Sequence, residues 1–251
     1  MEGTTSHILG SMCNGEIQIE RLQQCDLEDA IKVLDTFFAN ESICNATEIN
    51  LPENEESREE LRDLCREVST DNVSVVARHL PTNRIVSVAF NKLQTAPATG
   101  EKPYFEEFRD RRCRTKNAIA LMDFMIIVDA EFDLLDTYNT DSSFEITFLA
   151  TLAEFGGKSI GRTICEYSIE LAKDLGSGHK TDLIPEKYRD KRPQIATAIF
   201  SSRFSQRIGE LLGFEFINTV PYTKFSFNGK LYSEVINPMH PYFVLAVKKL
   251  F

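Results

Sequence analysis

The segment that decides the fold is Glu154-Phe155-Gly156-Gly157-Lys158-Ser159-Ile160-Gly161-Arg162, which lies between a predicted strand over residues 144–152 and a predicted amphipathic helix over residues 158–175. Its small residues let the backbone turn tightly, so that successive amide N–H groups and the positive end of the following helix face one point. Such a turn is typical of a phosphate or pyrophosphate site, and Lys158 and Arg162 add positive charge beside it. A glycine-rich connection without a ligand is the alternative. The spacing is neither Gly-x-x-x-x-Gly-Lys-Ser/Thr nor Gly-x-Gly-x-x-Gly.

Strands and helices alternate on both sides of this segment. Alternating or β-branched runs predict strands, and apolar stripes at helical spacing predict helices. The predicted strands cover residues 17–22, 73–79, 84–92, 144–152, 195–200, 214–227 and 242–247, and the predicted helices cover residues 27–40, 57–68, 116–135, 158–175 and 201–212. Asn228-Gly229 predicts a hairpin turn. This order predicts one α/β domain with a mixed sheet over residues 15–251, preceded by a disordered leader over residues 1–14.

The composition argues against several classes of function. Lys and Arg total 28 against 38 Asp and Glu, so the formal charge of −10 repels nucleic-acid phosphates and anionic lipid. No apolar run approaches the ~20 residues that a membrane-spanning helix needs, and the first 14 residues lack the pattern of a secretory signal. The six cysteines are scattered without a Cys-x-x-Cys pair, which predicts neither disulfides nor zinc. We expect a cytoplasmic monomer without a nucleic-acid, membrane or metal partner.

Several further motifs surround the loop in a defined order. They are Phe37-Phe38-Ala39-Asn40-Glu41, Val73-Ser74-Val75-Val76-Ala77-Arg78, Ile85-Val86-Ser87-Val88-Ala89-Phe90-Asn91, Ser201-Ser202-Arg203-Phe204-Ser205-Gln206-Arg207 before Leu212-Gly213-Phe214, and Pro238-Met239-His240. With the loop and its helix, this set resembles the GNAT acyltransferase superfamily and, within it, the insect arylalkylamine N-acetyltransferases, over about residues 16–251. The resemblance implies a single GNAT domain whose central mixed, largely antiparallel, twisted sheet is flanked by helices.

The resemblance also implies the two substrates. Acetyl-CoA is the expected cosubstrate, and a small primary amine is the expected acceptor, either an arylalkylamine such as dopamine, tyramine, octopamine or serotonin or a polyamine-like compound. Backbone N–H groups of the strand before the loop are expected to stabilise the oxyanion. The residues that the resemblance assigns to the coenzyme are Ala150, Thr151, Leu152, Gly156, Gly157, Lys158, Ser159, Ile160, Gly161 and Arg162.

The reaction needs a base, because a primary amine with a pKa comparable to the ~10.4 of lysine must lose a proton before it attacks a thioester. The resemblance places that base at Glu41, acting directly or through a water. The alternative is an exposed carboxylate at a helix end, where the helix dipole does not favour negative charge.

Four other positions carry expectations from the resemblance. Ser201 and Ser205 are expected near the CoA sulfur or the substrate, with a helix N-cap as the alternative role of Ser201. His240 is expected near the amine pocket, where it relays a proton, against the alternative of a structural histidine. Gly209 occupies the position at which many relatives carry a tyrosine that protonates the thiolate. A serine, water or bulk solvent must therefore serve as the acid.

Two stretches depart from the pattern. The superfamily pattern Gln/Arg-x-x-Gly-x-Gly/Ala reads Gly156-x-x-Ser159-x-Gly161 here, which predicts weaker CoA binding. Ser42-Ile43-Cys44-Asn45 replaces the usual Pro-Leu-Asn, which predicts a reshaped amine pocket. Two alternatives to an active transferase remain: a fold relative that binds CoA or an amine without efficient turnover, and a protein-interaction module on the same scaffold.

Overall fold

The computed structural model describes residues 7–251 and places ten strands along them. They are β1 (Ile8–Met12), β2 (Ile17–Arg21), β3 (Val75–His79), β4 (Arg84–Thr95), β5 (Ser142–Thr151), β6 (Ile195–Phe200), β7 (Glu215–Pro221), β8 (Ser226–Phe227), β9 (Lys230–Leu231) and β10 (Tyr242–Lys249). One sheet has the order β1-β2-β3-β4-β5-β6-β10-β7, and β8 pairs with β9 as a separate hairpin. The β5–β6 pair is parallel and the other described pairs are antiparallel. The sheet is mixed and largely antiparallel, as expected.

Helices cover both faces of this sheet. They are α1 (Leu27–Phe38), α2 (Ser42–Ala46), α3 (Glu55–Ser69), α4 (Tyr104–Arg112), α5 (Lys116–Ala130), α6 (Leu134–Thr137), α7 (Ile160–Gly176), α8 (Arg203–Leu212) and α9 (Tyr232–Val235). Successive side chains of β10 alternate between two cores: Phe243 and Leu245 pack in the core with α1, α3 and α5, and Val244 and Ala246 pack in the core with α7. Because neighbouring side chains of a strand point to opposite faces, these two helical layers enclose the sheet.

The parallel strands β5 and β6 diverge toward their carboxyl ends. Their pairing is limited to residues 143–146 of β5 and 195–198 of β6, although β5 continues to Thr151. A β-bulge accompanies the divergence, since Ile146 pairs with Asn91 and Phe148 with Phe90, which leaves Thr147 without a partner in the register. The result is a wedge between the two strands, bordered on one side by residues 147–151 of β5.

The structure differs from the sequence prediction in several places. The predicted strand over residues 214–227 is divided into β7 and β8 by a 3-10 turn at Tyr222–Lys224. The predicted disordered leader is wrong over residues 8–14, because β1 pairs with β2 there; residues 1–6 lie outside the described residues. The predicted helix over residues 116–135 is divided into α5 and α6. The predicted helix over residues 201–212 begins two residues later, at Arg203. The Asn228-Gly229 hairpin turn is confirmed, with φ values of 49° and 79°.

Candidate active site

The loop between β5 and α7 presents a row of backbone N–H groups. After a 3-10 turn at Ala153–Phe155, Gly157 and Ser159 take left-handed φ values of 73° and 61°, and α7 begins at Ile160. The N–H groups of residues 157–162 have no hydrogen-bond acceptor among residues 7–251. Successive donors of this kind at a helix N-terminus are suited to bind an anion.

Side chains beside the loop add positive charge. Lys158 Nζ lies 5.1 Å from the centre of the Phe155 ring, and Arg162 Nε lies 3.3 Å from Glu166 Oε1. The side chain of Arg162 remains 39% exposed. Both cations therefore lie within the segment that carries the unpaired N–H groups.

The loop glycines and Ser159 have different conformational roles. Gly156 has an ordinary φ of −60°, whereas Ser159 has a left-handed φ that costs a residue with a Cβ about 1–2 kcal/mol. Gly161 allows α7 to approach β5 closely, since a Cβ there would lie 3.3 Å from Thr151 Oγ1. Ser159 thus holds a conformation that glycine adopts readily, at the position where the superfamily pattern has glycine.

Successive backbone N–H groups of β5 point alternately toward β4 and toward the wedge. The Leu152 N–H donates to the Val86 carbonyl at 2.9 Å, so it is not available to a ligand. In an antiparallel pair the bonded residues alternate, which turns the Ala150 N–H toward β4 and the Leu149 and Thr151 N–H groups toward the wedge. Of the three expected donors Ala150, Thr151 and Leu152, the N–H groups of Ala150 and Leu152 are therefore directed to β4, and only that of Thr151 faces the wedge, together with that of Leu149.

Glu41 lies at the junction of α1 and α2 with a nearly buried carboxylate. As the N-cap of α2, its Oε2 accepts hydrogen bonds from the Ile43 N–H at 2.6 Å and the Cys44 N–H at 2.9 Å. Its Oε1 accepts a hydrogen bond from Ser201 Oγ at 2.6 Å, and only 9% of the residue is exposed. The alternative of an exposed carboxylate at an unfavourable helix end is wrong, because the N-terminus of α2 favours negative charge.

Burial and hydrogen bonds act on the Glu41 carboxyl in opposite directions. Burial raises its pKa, and the bonds from Ser201 and from the N–H groups of Cys44 and Ile43 lower it, with a net increase. A raised pKa makes the ionised carboxylate a stronger base than an exposed glutamate, which suits proton abstraction near neutral pH.

The serines at the start of α8 have different partners. Ser202 is the N-cap, and its side chain forms a capping box with Ser205, whose N–H donates to Ser202 Oγ at 3.2 Å. Ser205 Oγ accepts from the Ser202 N–H at 3.2 Å and donates to the Ser202 carbonyl at 3.0 Å. Ser201 lies outside the helix, so it is not the N-cap and does not share a helical face with Ser205. The structure therefore brings Ser201, but not Ser205, into hydrogen-bond contact with Glu41.

His240 is in contact with the first turn of α8. Its Nδ1 accepts a hydrogen bond from the Arg203 N–H at 3.2 Å, which requires the Nε2–H tautomer of a neutral ring. Burial and the Arg203 charge lower the pKa of His240. The ring also lies edge-on to Phe204, with 5.6 Å between ring centroids. His240 thus has a structural role at this helix end.

Gly209 has no space for the tyrosine that many relatives carry. A Cβ at this position would lie 2.3 Å from the Phe200 ring. Phe200 is buried against Phe214, with 5.4 Å between ring centroids. The Phe200 ring therefore occupies the space next to α8 that a side chain at position 209 would need.

A further concave site lies away from Glu41 and Ser201 in the described part of the chain. A cavity of about 370 Å³ lies between α2 and the β8–β9 hairpin, lined by residues including Asn45, Leu51 and Phe227. Glu41 and Ser201 do not line it. Within the described part of the chain, no group of three His, Cys, Asp or Glu side chains could hold a metal ion, and no helix is long and apolar enough to cross a membrane.

Sequence reasoning missed two residues that contact the site. Tyr222 is fully buried and donates a hydrogen bond to the Ser201 carbonyl. Cys44 is buried, and its thiol interacts with the Glu41 carboxylate. The Tyr222 contact depends on how distant segments pack, whereas Cys44 lies three residues after Glu41 in the stretch that departs from the family pattern.

Known structures share this architecture. The arylalkylamine N-acetyltransferase 2 of Aedes aegypti superposes with a TM-score of 0.77 at 22% identity, covering 94% of this chain and 99% of that one. A mosquito arylalkylamine N-acetyltransferase-like protein 5b gives a TM-score of 0.68 at 16% identity, with 93% and 99% coverage. The Drosophila melanogaster polyamine N-acetyltransferase, an enzyme that forms N-acetylagmatine, gives 0.71 at 16% identity with the same coverage.

These likenesses establish the class of fold. The chain has the GNAT acetyltransferase fold, with a mostly antiparallel sheet flanked by helices. Insect arylalkylamine N-acetyltransferases are among its structural neighbours, at low sequence identity. A scan against family models gave no match, and a search of curated proteins gave none.

Proposed function

We propose that this protein is an acyl-CoA-dependent N-acetyltransferase that moves an acetyl group from acetyl-CoA to the primary amine of a small arylalkylamine or related biogenic amine. The observation that carries the proposal is the nearly buried Glu41 carboxylate, whose Oε1 lies 2.6 Å from the Oγ of Ser201, the residue that follows β6. The names of the structural neighbours, which act on arylalkylamines or form N-acetylagmatine, support an amine acceptor.

The two halves of the proposed site lie at one edge of the sheet. Ser201 follows the last residue of β6, and the N–H-rich loop follows the last residues of β5. Because β5 and β6 are parallel, their carboxyl ends meet at the same edge, where the strands also diverge. An extended thioester substrate with a diphosphate at one end would fit this arrangement, with its diphosphate on residues 157–162 and its acyl group in the wedge.

The reaction then follows from the chemistry of these groups. Glu41 accepts the proton of the incoming ammonium, directly or through a water, and the free amine attacks the thioester carbonyl carbon. The Leu149 and Thr151 N–H groups stabilise the oxyanion of the tetrahedral intermediate. The nitrogen of the intermediate loses its second proton to water, collapse of the intermediate breaks the carbon–sulfur bond and releases the CoA thiolate, and the neutral amide forms; Glu41 then returns its proton to solvent. The thiolate takes a proton from a serine, from water or from solvent, and no covalent enzyme intermediate forms.

Two measurements test this proposal. Thermal unfolding with acetyl-CoA and with desulfo-CoA measures ligand binding, because a ligand of the native state raises its stability. A thiol-release assay over a panel of aromatic and aliphatic amines then measures turnover. Stabilisation together with amine-dependent thiol release is the expected result. Binding without turnover on any amine would favour a non-catalytic fold relative, and no stabilisation would favour an interaction module.

A further inference from the structure

Tyr222 is a fully buried phenol in the 3-10 turn that follows β7. Its hydroxyl donates to the backbone carbonyl of Ser201 at 2.5 Å. Among the described residues this is the only hydrogen bond that the Ser201 carbonyl accepts, because Ser201 lies outside α8. The peptide that carries the Ser201 hydroxyl is therefore held by Tyr222.

The same residue contacts the other segments that build the site. The Tyr222 N–H donates to the Pro241 carbonyl at 3.4 Å, next to His240. The Ser42 side chain interacts with the Tyr222 phenol, and Ser42 directly follows Glu41. The Tyr222 ring packs against Phe243 of β10, with 5.6 Å between ring centroids. Tyr222 thus contacts both the segment that carries the Glu41 carboxylate and the segment that carries the Ser201 hydroxyl.

We infer that Tyr222 is a positioning residue for the proposed transfer: its hydroxyl holds the Ser201 peptide so that Ser201 Oγ donates to Glu41 Oε1. The inference deepens the proposed function and rests on it. Tyr222 acts through Ser201, and its own hydroxyl donates to a backbone carbonyl, so it takes no part in proton transfer. Without this bond the partly buried Ser201 carbonyl loses its hydrogen-bond donor, and one restraint on the orientation of the peptide is removed.

The groups around Glu41 determine what a titration would report. The titratable side chains that face it are the Cys44 thiol on α2, the Tyr222 phenol and the Tyr232 phenol on α9. Burial raises the pKa of all three, to about 12 for Tyr232, so they are neutral near pH 7. The Ser201 hydroxyl donates a hydrogen bond that stabilises the ionised Glu41 carboxylate. Loss of this hydrogen bond must therefore raise the pKa of Glu41.

The test compares Tyr222→Phe, Ser201→Ala and the double variant. The acidic limb of kcat/KM against pH is expected to move upward by about one to two pH units in Ser201→Ala, since a hydrogen bond to a charged group is lost. Tyr222→Phe is expected to move it in the same direction by roughly half as much, and the double variant no further than Ser201→Ala. Tyr232→Phe is the matched control, because it removes a second buried phenol from the same aromatic cluster without touching Ser201. Its acidic limb is expected to stay in place.

A second readout does not need turnover. The Glu41 carboxyl is titrated by NMR in protein labelled with carbon-13 at the glutamate Cδ, and its signal is assigned by its loss in Glu41→Gln. An unmoved titration in Tyr222→Phe, or shifts of the two single variants that add in the double variant, would overturn the inference. A shifted titration without turnover on any amine would instead overturn the proposed function and leave the positioning role standing.

A variant that keeps the shape of the side chain covers the outcome in which Tyr222→Phe does not fold. Fluorotyrosine at position 222 has a more acidic phenol and is a stronger donor to the Ser201 carbonyl. It is expected to keep the Ser201–Glu41 bond, so the pKa of Glu41 should move by less than about 0.3 pH unit in either direction. Ser201→Ala in the same background should raise the pKa of Glu41 by the full amount expected for Ser201→Ala alone. A Glu41 titration that does not respond to Ser201→Ala in that background would overturn the inference.

Discussion

Replacement of Glu41 by glutamine tests the chemistry most directly. The amide has the size of the carboxyl group but cannot accept the ammonium proton. The side-chain oxygen can still accept the Ile43 and Cys44 N–H groups, so the N-cap of α2 is largely kept. A positioned general base contributes about 10²–10⁴-fold, so kcat should fall by that factor, which corresponds to about 3–5 kcal/mol of transition-state stabilisation. Steady-state thiol release with saturating acetyl-CoA measures the loss.

The same substitution has a defined pH signature. In the wild type, kcat/KM is expected to fall as pH decreases through the raised pKa of Glu41, because only the ionised carboxylate accepts a proton. Stability responds in the opposite direction. Since the folded protein holds the proton more tightly than the unfolded chain, the contribution of Glu41 is greatest below the usual pKa of 4.5 and is lost as pH rises through the folded pKa. Glu41→Gln should remove both dependences.

Glu60 offers a matched control. It is also 9% exposed, and its carboxylate accepts the Arg114 N–H at 2.8 Å and the Thr115 hydroxyl at 2.7 Å at the start of α5. Glu60→Gln therefore removes the charge of a carboxylate that, like that of Glu41, is nearly buried and accepts hydrogen bonds at the start of a helix. Unlike Glu41, Glu60 makes no contact with Ser201. The substitution should lower stability without changing the pH profile of kcat/KM. If Glu41→Gln keeps wild-type kcat and the same acidic limb, Glu41 is not the base.

Three further substitutions test other parts of the structure. Ser159→Gly relieves left-handed strain of about 1–2 kcal/mol but adds conformational freedom to the unfolded chain, so the unfolding free energy should change by less than about 1 kcal/mol. Because glycine places no Cβ beside the loop N–H groups, the acetyl-CoA Kd measured by calorimetry should decrease; an unchanged Kd would contradict the expectation that Ser159 weakens CoA binding. Gly209→Ala should destabilise the fold by about 1–3 kcal/mol in chemical denaturation, because its Cβ would meet Phe200, and a wild-type midpoint would contradict that packing. Lys92→Met leaves the buried Asp71 carboxylate without the ammonium that lies 2.6 Å away, which should cost about 3–5 kcal/mol of unfolding free energy; a loss below about 1 kcal/mol would show that the pair is not buried as described.

Local patterns predicted much of the fold correctly. The tight turn before α7 and the Asn228-Gly229 hairpin both depend on a few adjacent residues. The prediction failed at β1, where the polar and Gly/Ser-containing sequence is ordered by pairing with β2. It also placed Ser201 inside α8, because the two adjacent serines offer equivalent caps and only the Ser202–Ser205 capping box distinguishes them.

The sequence by itself determined the order of elements, since hydrophobic periodicity and short motifs act over a few neighbouring residues. The expected GNAT-like architecture and the candidacy of Glu41 and Ser201 came from the resemblance of the ordered motifs to that superfamily. Only the tertiary structure decided that these two side chains meet across 160 positions of sequence, and that the Tyr222 hydroxyl donates to the Ser201 carbonyl. It also decided which N–H groups of β5 face the wedge, because a single bulge and the strand register set their direction. Contacts of this kind depend on how distant elements pack, and no local spacing encodes that packing.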